Sequence, residues 1–489
     1  MSVTIVPNVR SYEELTGGVG KEVFFRAPRV RARELFNLDT SFDSPSVVIG
    51  GKTCQLVNLS ISGAAAIADE DDAAKFDVGN VVSFELRHAE AVLHHGEARI
   101  VRTEPVFRGI KVAVQLTDHP ADLARLRQRY SEETVRRRVD AIVTTGADAV
   151  EAEYRVLCAD VLFLLRTLKE TLAIGTPIDP AAAEVFLRDC EERVWPTWSG
   201  FFLRGNDLLA RARAQDGGAA RMKAMTELLL TPEFLSAPIW RQTIQKPYGY
   251  PGDHVVMNHV YDALSEGETL YDKLMHRLGV RSLLLIQSRM RQIVEILKGK
   301  AALGPLEHPF RVLNLGCGAA REVSLFLKEG VPAQGALVTL LDQDSRALTL
   351  ALEGAYREIL GAGANGQVRC LLTTFAKLIE PGNLQQDVGA QDFIYSIGLL
   401  DYLTERRARA LITALYGQLA PGGTLLVGNL RKCRESGEWC SEMICDWPMI
   451  FRTEDEMWRL ASEIPTEAKR VFMEPLERVY LMQIEKPAH

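Results

Sequence analysis

The 489 residues hold no run of eighteen apolar residues without a charge, and the N-terminus, MSVTIVPNVRSYEEL, has no basic segment leading into an apolar stretch. A membrane span and a secretory leader are therefore not expected, and the expected location is the cytoplasm. The eight cysteines (Cys54, Cys158, Cys190, Cys317, Cys370, Cys433, Cys440, Cys445) form no CxxC pair and have no histidine at zinc spacing. That pattern excludes a disulfide framework and a zinc ribbon, and no metal site is expected. An excess of basic charge is also missing. The net charge is −7, which argues against a nucleic-acid partner held by a general positive field. Neither an internal repeat nor a low-complexity tract interrupts the chain, so solenoid architectures are excluded.

What remains is the composition of an ordinary globular protein, 47% hydrophobic and 25% charged. At this length a chain splits into two or three cores. Residues 22–120 alternate short β-prone runs with Gly, Asn and Asp turns: Ser46–Ile49, Cys54–Val57, Val81–Leu86, Glu97–Arg102 and Ile110–Leu116. They read as a small antiparallel barrel. Residues 121–300 have helical spacing, as in Tyr154, Leu157, Val161, Leu164, Leu165 and Leu168. From 301 to the end, strands (Val312–Leu315, Ala336–Leu341, Val368–Leu372, Phe393–Ser396, Thr424–Val427) alternate with helices, which predicts a parallel, doubly wound α/β sheet. Arg470–Met473 and Val479–Ile484 close it as an antiparallel pair.

The sharpest local pattern is VLNLGCGAARE, Val312–Glu322: an apolar strand, a glycine turn and a helix start. Gly316 and Gly318 allow positive φ and remove side chains, so a ligand can lie against bare backbone at the strand's end. Arg321 stands where a dinucleotide fold needs its third glycine, which counts against NAD or FAD. Twenty-six residues after Gly316, the run LVTLL ends in Asp342, with Asp344 two residues on. An acid there can accept both ribose hydroxyls of a nucleoside cofactor; Asp342 is preferred, and capping the next helix is the other role open to each.

Followed by QDFIYSIGLLDYL and LAPGGTLLVGNL, these segments resemble class I S-adenosylmethionine methyltransferases over about residues 305–489. The resemblance implies a Rossmann-like fold with S-adenosyl-L-methionine as cofactor. It places the methionine portion at Gly316, Cys317, Gly318 and Glu322, the ribose at Asp342 or Asp344, and adenine and substrate near Thr374, Phe375, Tyr395 and Ser396. Methyl transfer from a sulfonium is an in-line displacement that needs positioning more than a metal.

Upstream, QKPYGYPGDH, Gln245–His254, concentrates aromatic, turn-forming and ionisable residues inside the helical region. With MNHVY and DWPMIFRTE it resembles a bacterial methyltransferase family described as 3-hydroxypalmitic acid methyl ester biosynthesis proteins, over about residues 190–489. That likeness implies carboxyl O-methylation of a 3-hydroxy fatty acid or similar small acid to make a signal. Lys246 or Arg452 would orient the carboxylate, and Tyr248, Tyr250, Asp253 and His254 would form the catalytic loop.

Near the N-terminus, RAPRVRAR (Arg26–Arg33) is followed by NLSISG (Asn58–Gly63). Arginines at this density bind phosphates and stack on guanine; a solvated basic strand edge is the bland alternative. With the barrel pattern, the segment resembles a PilZ domain, implying cyclic di-GMP as an allosteric ligand held by Arg29, Arg33, Asn58, Ser60 and Gly63. Two other readings stay open: a non-catalytic cyclic di-GMP effector with a cofactor-binding domain, and a protein or N-methyltransferase.

Overall fold

The computed structural model of the protein describes residues 29–36, 44–106, 109–144, 152–175, 179–303, 307–361, 363–373, 388–465 and 467–488. Near the N-terminus run β1 (Val30–Arg31), β2 (Ser46–Ile49), β3 (Lys52–Ser60), β4 (Gly63–Ala68), β5 (Val81–His88), β6 (Ala91–Val106) and β7 (Gly109–Leu116). Six of them close a barrel in the order β3-β2-β5-β6-β7-β4 and back to β3, all antiparallel. β1 pairs with the end of β3, Val30 opposite Leu59 and Arg31 opposite Asn58. Alternation puts Val47, Ile49, Phe84, Leu86, Ile100, Val112 and Val114 inside. β4 is the strand that hydrophobic patterning does not reveal: GAAAIA is rich in alanine, and its small side chains are nearly all buried.

The helix Leu123–Thr144 belongs with this barrel. Its Leu126 and Tyr130 enter the barrel core, where the Tyr130 ring lies 4.7 Å from Phe36 and 4.6 Å from His88. The rest of the helical region is a separate cap, with long helices at Ala152–Leu172, Pro180–Arg213, Leu270–Ser282 and Leu284–Ala301 around buried Trp198, Phe234 and Trp240. A segment after the fifth strand of the sheet completes that core with Trp439, Cys440, Ile444 and Trp447. Gly205 is there because a β-carbon would meet the Trp439 ring at 2.3 Å. Beside it, Asn206 accepts the Trp439 N–H at 2.8 Å and donates to the Arg434 carbonyl at 2.9 Å. Cap and sheet are thus one packed unit.

The C-terminal sheet comprises β8 (Phe310–Leu315), β9 (Ala336–Asp342), β10 (Gly366–Leu372), β11 (Gln391–Ile397), β12 (Leu419–Leu430), β13 (Lys469–Met473) and β14 (Val479–Glu485). Its order is β10-β9-β8-β11-β12-β14-β13. The first five are parallel; β14 lies antiparallel between β12 and β13. Alternate residues feed two cores: Val312, Val338, Leu340, Phe393 and Leu426 pack on the helices Leu284–Ala301, Arg321–Glu329 and Ser345–Gly361. Leu313, Leu315, Ile394, Leu425 and Val427 pack on Glu405–Gly417 and Glu454–Leu460. The chain reverses its direction of winding between β8 and β11, and a crevice opens at such a switch point. Among the described residues, no helix is long and apolar enough to cross a membrane.

Candidate active site

The turn after β8 lies where the sheet splits. Gly316 and Gly318 adopt φ of +65° and +52°, and their N–H groups bind Leu341 O (2.8 Å) and the Asp342 carboxylate (2.9 Å). A β-carbon on Gly318 would meet nothing within 4 Å, and one on Gly316 would come no nearer than 3.8 Å, to Leu399. The glycines therefore face open space. That space is part of a cleft of about 1900 Å³ walled by the strand ends, the cap and one edge of the barrel.

Asp342 terminates β9 at the cleft. Its two oxygens each accept one backbone N–H, from Gly318 and from Asp344 (3.0 Å). A carboxylate has about four acceptor sites, so capacity for two hydroxyls remains. Burial raises its pKa above the usual carboxylate value, against the lowering effect of those N–H groups. Asp344, the second candidate, is already committed. It caps the helix Ser345–Gly361 through its carbonyl to Leu348 N and its side chain to Arg346 N, while the Arg346 guanidinium grips both oxygens at 2.8 and 3.1 Å and Tyr250 Oη donates at 3.0 Å. Burial alone would raise its pKa, but these partners outweigh it and hold it low.

Glu322, at the start of the helix after the turn, is buried; Asn314 and Tyr395 both donate to its Oε1 at 2.9 Å. Desolvation lifts its pKa, and it also lifts that of the buried Cys317 thiol, which stays protonated against the Gly318 carbonyl. Tyr395 reaches the cleft, but Ser396 does not: fully buried, it donates to Leu315 O at 3.1 Å and ties β11 to β8. Thr374 and Phe375 lie outside the described residues.

The loop between the helices Pro238–Gln245 and His254–Asp262 arches over this crevice, and its residues divide into two kinds. Tyr248 packs against two partners, with the Arg346 guanidinium 3.9 Å from its ring centroid and the His254 ring stacked at 5.1 Å. Tyr250 latches onto Asp344, and burial beside Asp344 and Asp342 raises its phenol pKa. His254 lines the cleft with its Nδ1 buried, lacking a hydrogen-bond partner 3.8 Å from Asp344.

Asp253, expected in the chemistry, instead caps the helix His254–Asp262, accepting from Val255 N, Val256 N and Gln242 Nε2. Lys246 reaches the cleft wall with its ammonium engaged by Asp446 at 2.6 Å, and burial lowers its pKa even so. Arg452 is removed from any substrate: 3% exposed, it binds the Leu400 and Leu403 carbonyls and Asn429. An arginine that strings together three buried acceptors is a structural brace.

In the barrel, Arg29 Nη1 lies 3.5 Å from Asn58 Oδ1, and Arg31 donates to Pro247 O of the loop at 3.3 Å. Asn58 and Arg33 line the cleft, but Arg33 sits on the short helix Ala32–Phe36 rather than on a strand. Ser60 is turned inward onto Gly63 O, and a β-carbon at Gly63 would strike Val114 O at 2.4 Å, so both serve the β3–β4 turn. Arg26 lies outside the described residues.

Among the described residues, one group outside the cleft has metal-ligand chemistry: side-chain atoms of His259, Glu266 and His276 lie within 4.8 Å of one another. Nδ1 of His276 already accepts the Ile239 N–H at 3.3 Å, so the neutral ring carries its proton on Nε2, a donor rather than a ligand. Desolvation holds its pKa down at about 4.

No family model matches the chain, and no curated protein does. Among solved structures it is similar to magnesium protoporphyrin IX methyltransferase from Synechocystis PCC 6803 with bound SAM (16% identity, 42% of this chain and 83% of that one, TM-score 0.31). It is similar to an N-methyltransferase from Bradyrhizobium japonicum WM9 in complex with S-adenosyl-l-homocysteine (17%, 42% and 88%, TM-score 0.29). A possible exported protein from Bordetella parapertussis is aligned over 64% of this chain and 100% of that one, at 15% identity and TM-score 0.37.

Proposed function

We propose that this chain is an S-adenosylmethionine-dependent methyltransferase acting on the carboxylate of a small or lipidic acid. The observation that carries the reading is the switch-point crevice: two positive-φ glycines facing open space, with an acid at the tip of the neighbouring strand. The residues fit an adenosyl sulfonium. Asp342 would hold the ribose hydroxyls, the bare turn Gly316–Gly318 would let the sulfonium approach the backbone, and Glu322 would flank the methionine portion. The cofactor supplies an already activated methyl group.

The rest falls to this chain. The cap and the Tyr248–Tyr250 loop exclude water and hold donor and acceptor in line. A carboxylate acceptor is ionised at neutral pH and needs no base. Phe202, Leu203, Ile244, Leu283, Met449 and Phe451 line the cap side, and such a wall accommodates an acyl chain. Incubating the protein with S-adenosylmethionine and a panel of 3-hydroxy fatty acids, with mass spectrometry of ester and demethylated cofactor, tests this. Ester formation is expected; turnover on amines or peptides alone would replace the acceptor assignment.

For the barrel, the reading is a regulatory site for cyclic di-GMP at the edge of the same cleft. It is supported by Arg29 beside Asn58 and by Arg31 reaching the Pro247 carbonyl, which would let an anion there act on the loop. Equal turnover with and without the nucleotide, in protein shown to bind it, would remove this role.

A further inference from the structure

The cations along the cleft are almost all occupied. Arg281 pairs with Glu191 and Glu192, Lys246 with Asp446, and Arg478 with Glu435. Arg289 is different. It projects from the helix Leu284–Ala301 to the mouth of the switch point, where its Nη2 lies 3.0 Å from the position a β-carbon would take on Gly398, the residue that follows β11. Half-buried, it makes no hydrogen bond or ion pair with any described residue, although its field acts on Glu322, Asp401 and Tyr261. The two carboxylates accept hydrogen bonds from other groups, Glu322 from Asn314 and Tyr395 and Asp401 from Leu430 N. A planar guanidinium held in a partly desolvated wall with its donors unspent is a site for a carboxylate, which its fork matches in geometry and charge.

Position narrows the ligand. Asp342 ends β9, Gly316 and Gly318 follow β8, and Gly398 follows β11, three neighbours in the sheet. A nucleoside with its ribose at Asp342 and its sulfur over the glycine turn would extend along this row towards Gly398, beside which Arg289 lies. We infer that Arg289 is the carboxylate-recognising residue of the cleft, gripping the amino-acid end of the cofactor or, failing that, the acid acceptor that meets it there. This rests on the methyltransferase reading. It also accounts for a close approach at Gly398 (φ +125°), where a side chain would displace the guanidinium.

The test compares S-adenosylhomocysteine with 5′-methylthioadenosine, which keeps the nucleoside and sulfur but lacks the amino-acid end. Calorimetry is run on wild type, Arg289→Gln and Arg289→Lys, with thermal melts to confirm folding. Loss of a charge-assisted fork is expected to weaken S-adenosylhomocysteine by about tenfold or more, with Lys intermediate, while methylthioadenosine is unchanged. If both nucleosides bind as before but KM for a carboxylic acid acceptor rises about tenfold at constant kcat, the carboxylate belongs to the acceptor. The assignment is overturned if Gln alters none of these or weakens both nucleosides alike. A wild-type protein that binds neither nucleoside sinks the methyltransferase reading and Arg289's role with it, a result separable from failure of Arg289 alone.

Discussion

Gly318→Ala separates what the glycine does for the fold from what it does for a ligand. The protein itself leaves room for the added methyl, since nothing lies within 4 Å of it. What the fold loses is backbone ease: φ at this residue is +52°, and an L-residue in the left-handed region costs about 1–2 kcal/mol. For a domain of this size that lowers Tm by roughly 2–8 °C. The methyl, however, projects into the cleft at the point where the cofactor is to lie. Overfilling a close contact costs about 1–3 kcal/mol, so the affinity for S-adenosylhomocysteine should fall by about 30-fold at a central value of ~2 kcal/mol. Calorimetric titration beside a thermal melt reads both quantities. A variant that melts lower but binds as well as wild type would refute the reasoning, because the glycine would then serve the turn alone.

Tyr250→Phe removes the latch to Asp344; a hydrogen bond to a charged group is worth about 1.5–3 kcal/mol, and with Arg346 still in place the loss should sit near the lower figure, about a tenfold weaker cofactor affinity by calorimetry. Arg452→Ala leaves buried carbonyls of Leu400 and Leu403 without a donor and should cost about 3 kcal/mol or more in urea unfolding; normal stability with only a raised KM for the acceptor would restore it to the substrate site. Glu322→Gln addresses pH. The folded-state pKa of Glu322 is raised, so the native state holds its proton more tightly than the unfolded chain, and the stability that this provides is lost as pH rises through the folded value. Gln should therefore melt above wild type near neutrality, with the gap narrowing towards acid pH; a constant gap would place the pKa elsewhere.

The sheet was readable because buried parallel strands are written as short apolar runs at regular intervals, and VLNLGCG and LVTLLD state both their strand and their turn. Five of the six barrel strands follow from alternation, whereas β4 was hidden because alanines carry little hydrophobic contrast. The assignment of the helical region was too coarse: Leu126 and Tyr130 face the barrel and Trp439 and Trp447 return to the cap, and such long-range partnerships leave no local periodicity. At the site, Asp342 could be ranked over Asp344 by its position at the strand's end. Asp253, Ser396 and Arg452 could not be sorted from ligand-facing groups, because polar residues beside glycine turns look the same whether they cap a helix or face a cleft. Arg289 was missed outright. It lies in a helix of ordinary composition, and what singles it out is a half-buried guanidinium without a hydrogen bond or ion pair among the described residues, set beside Gly398 at the switch point, a property of three dimensions.

The most direct measurement is the titration of S-adenosylmethionine into wild-type protein and into Asp342→Ala at neutral pH. One cofactor per chain in the wild type, with affinity reduced about tenfold or more in the variant while the melt stays cooperative, is the result the crevice predicts. Saturable binding that ignores Asp342, or no binding at all, would contradict it.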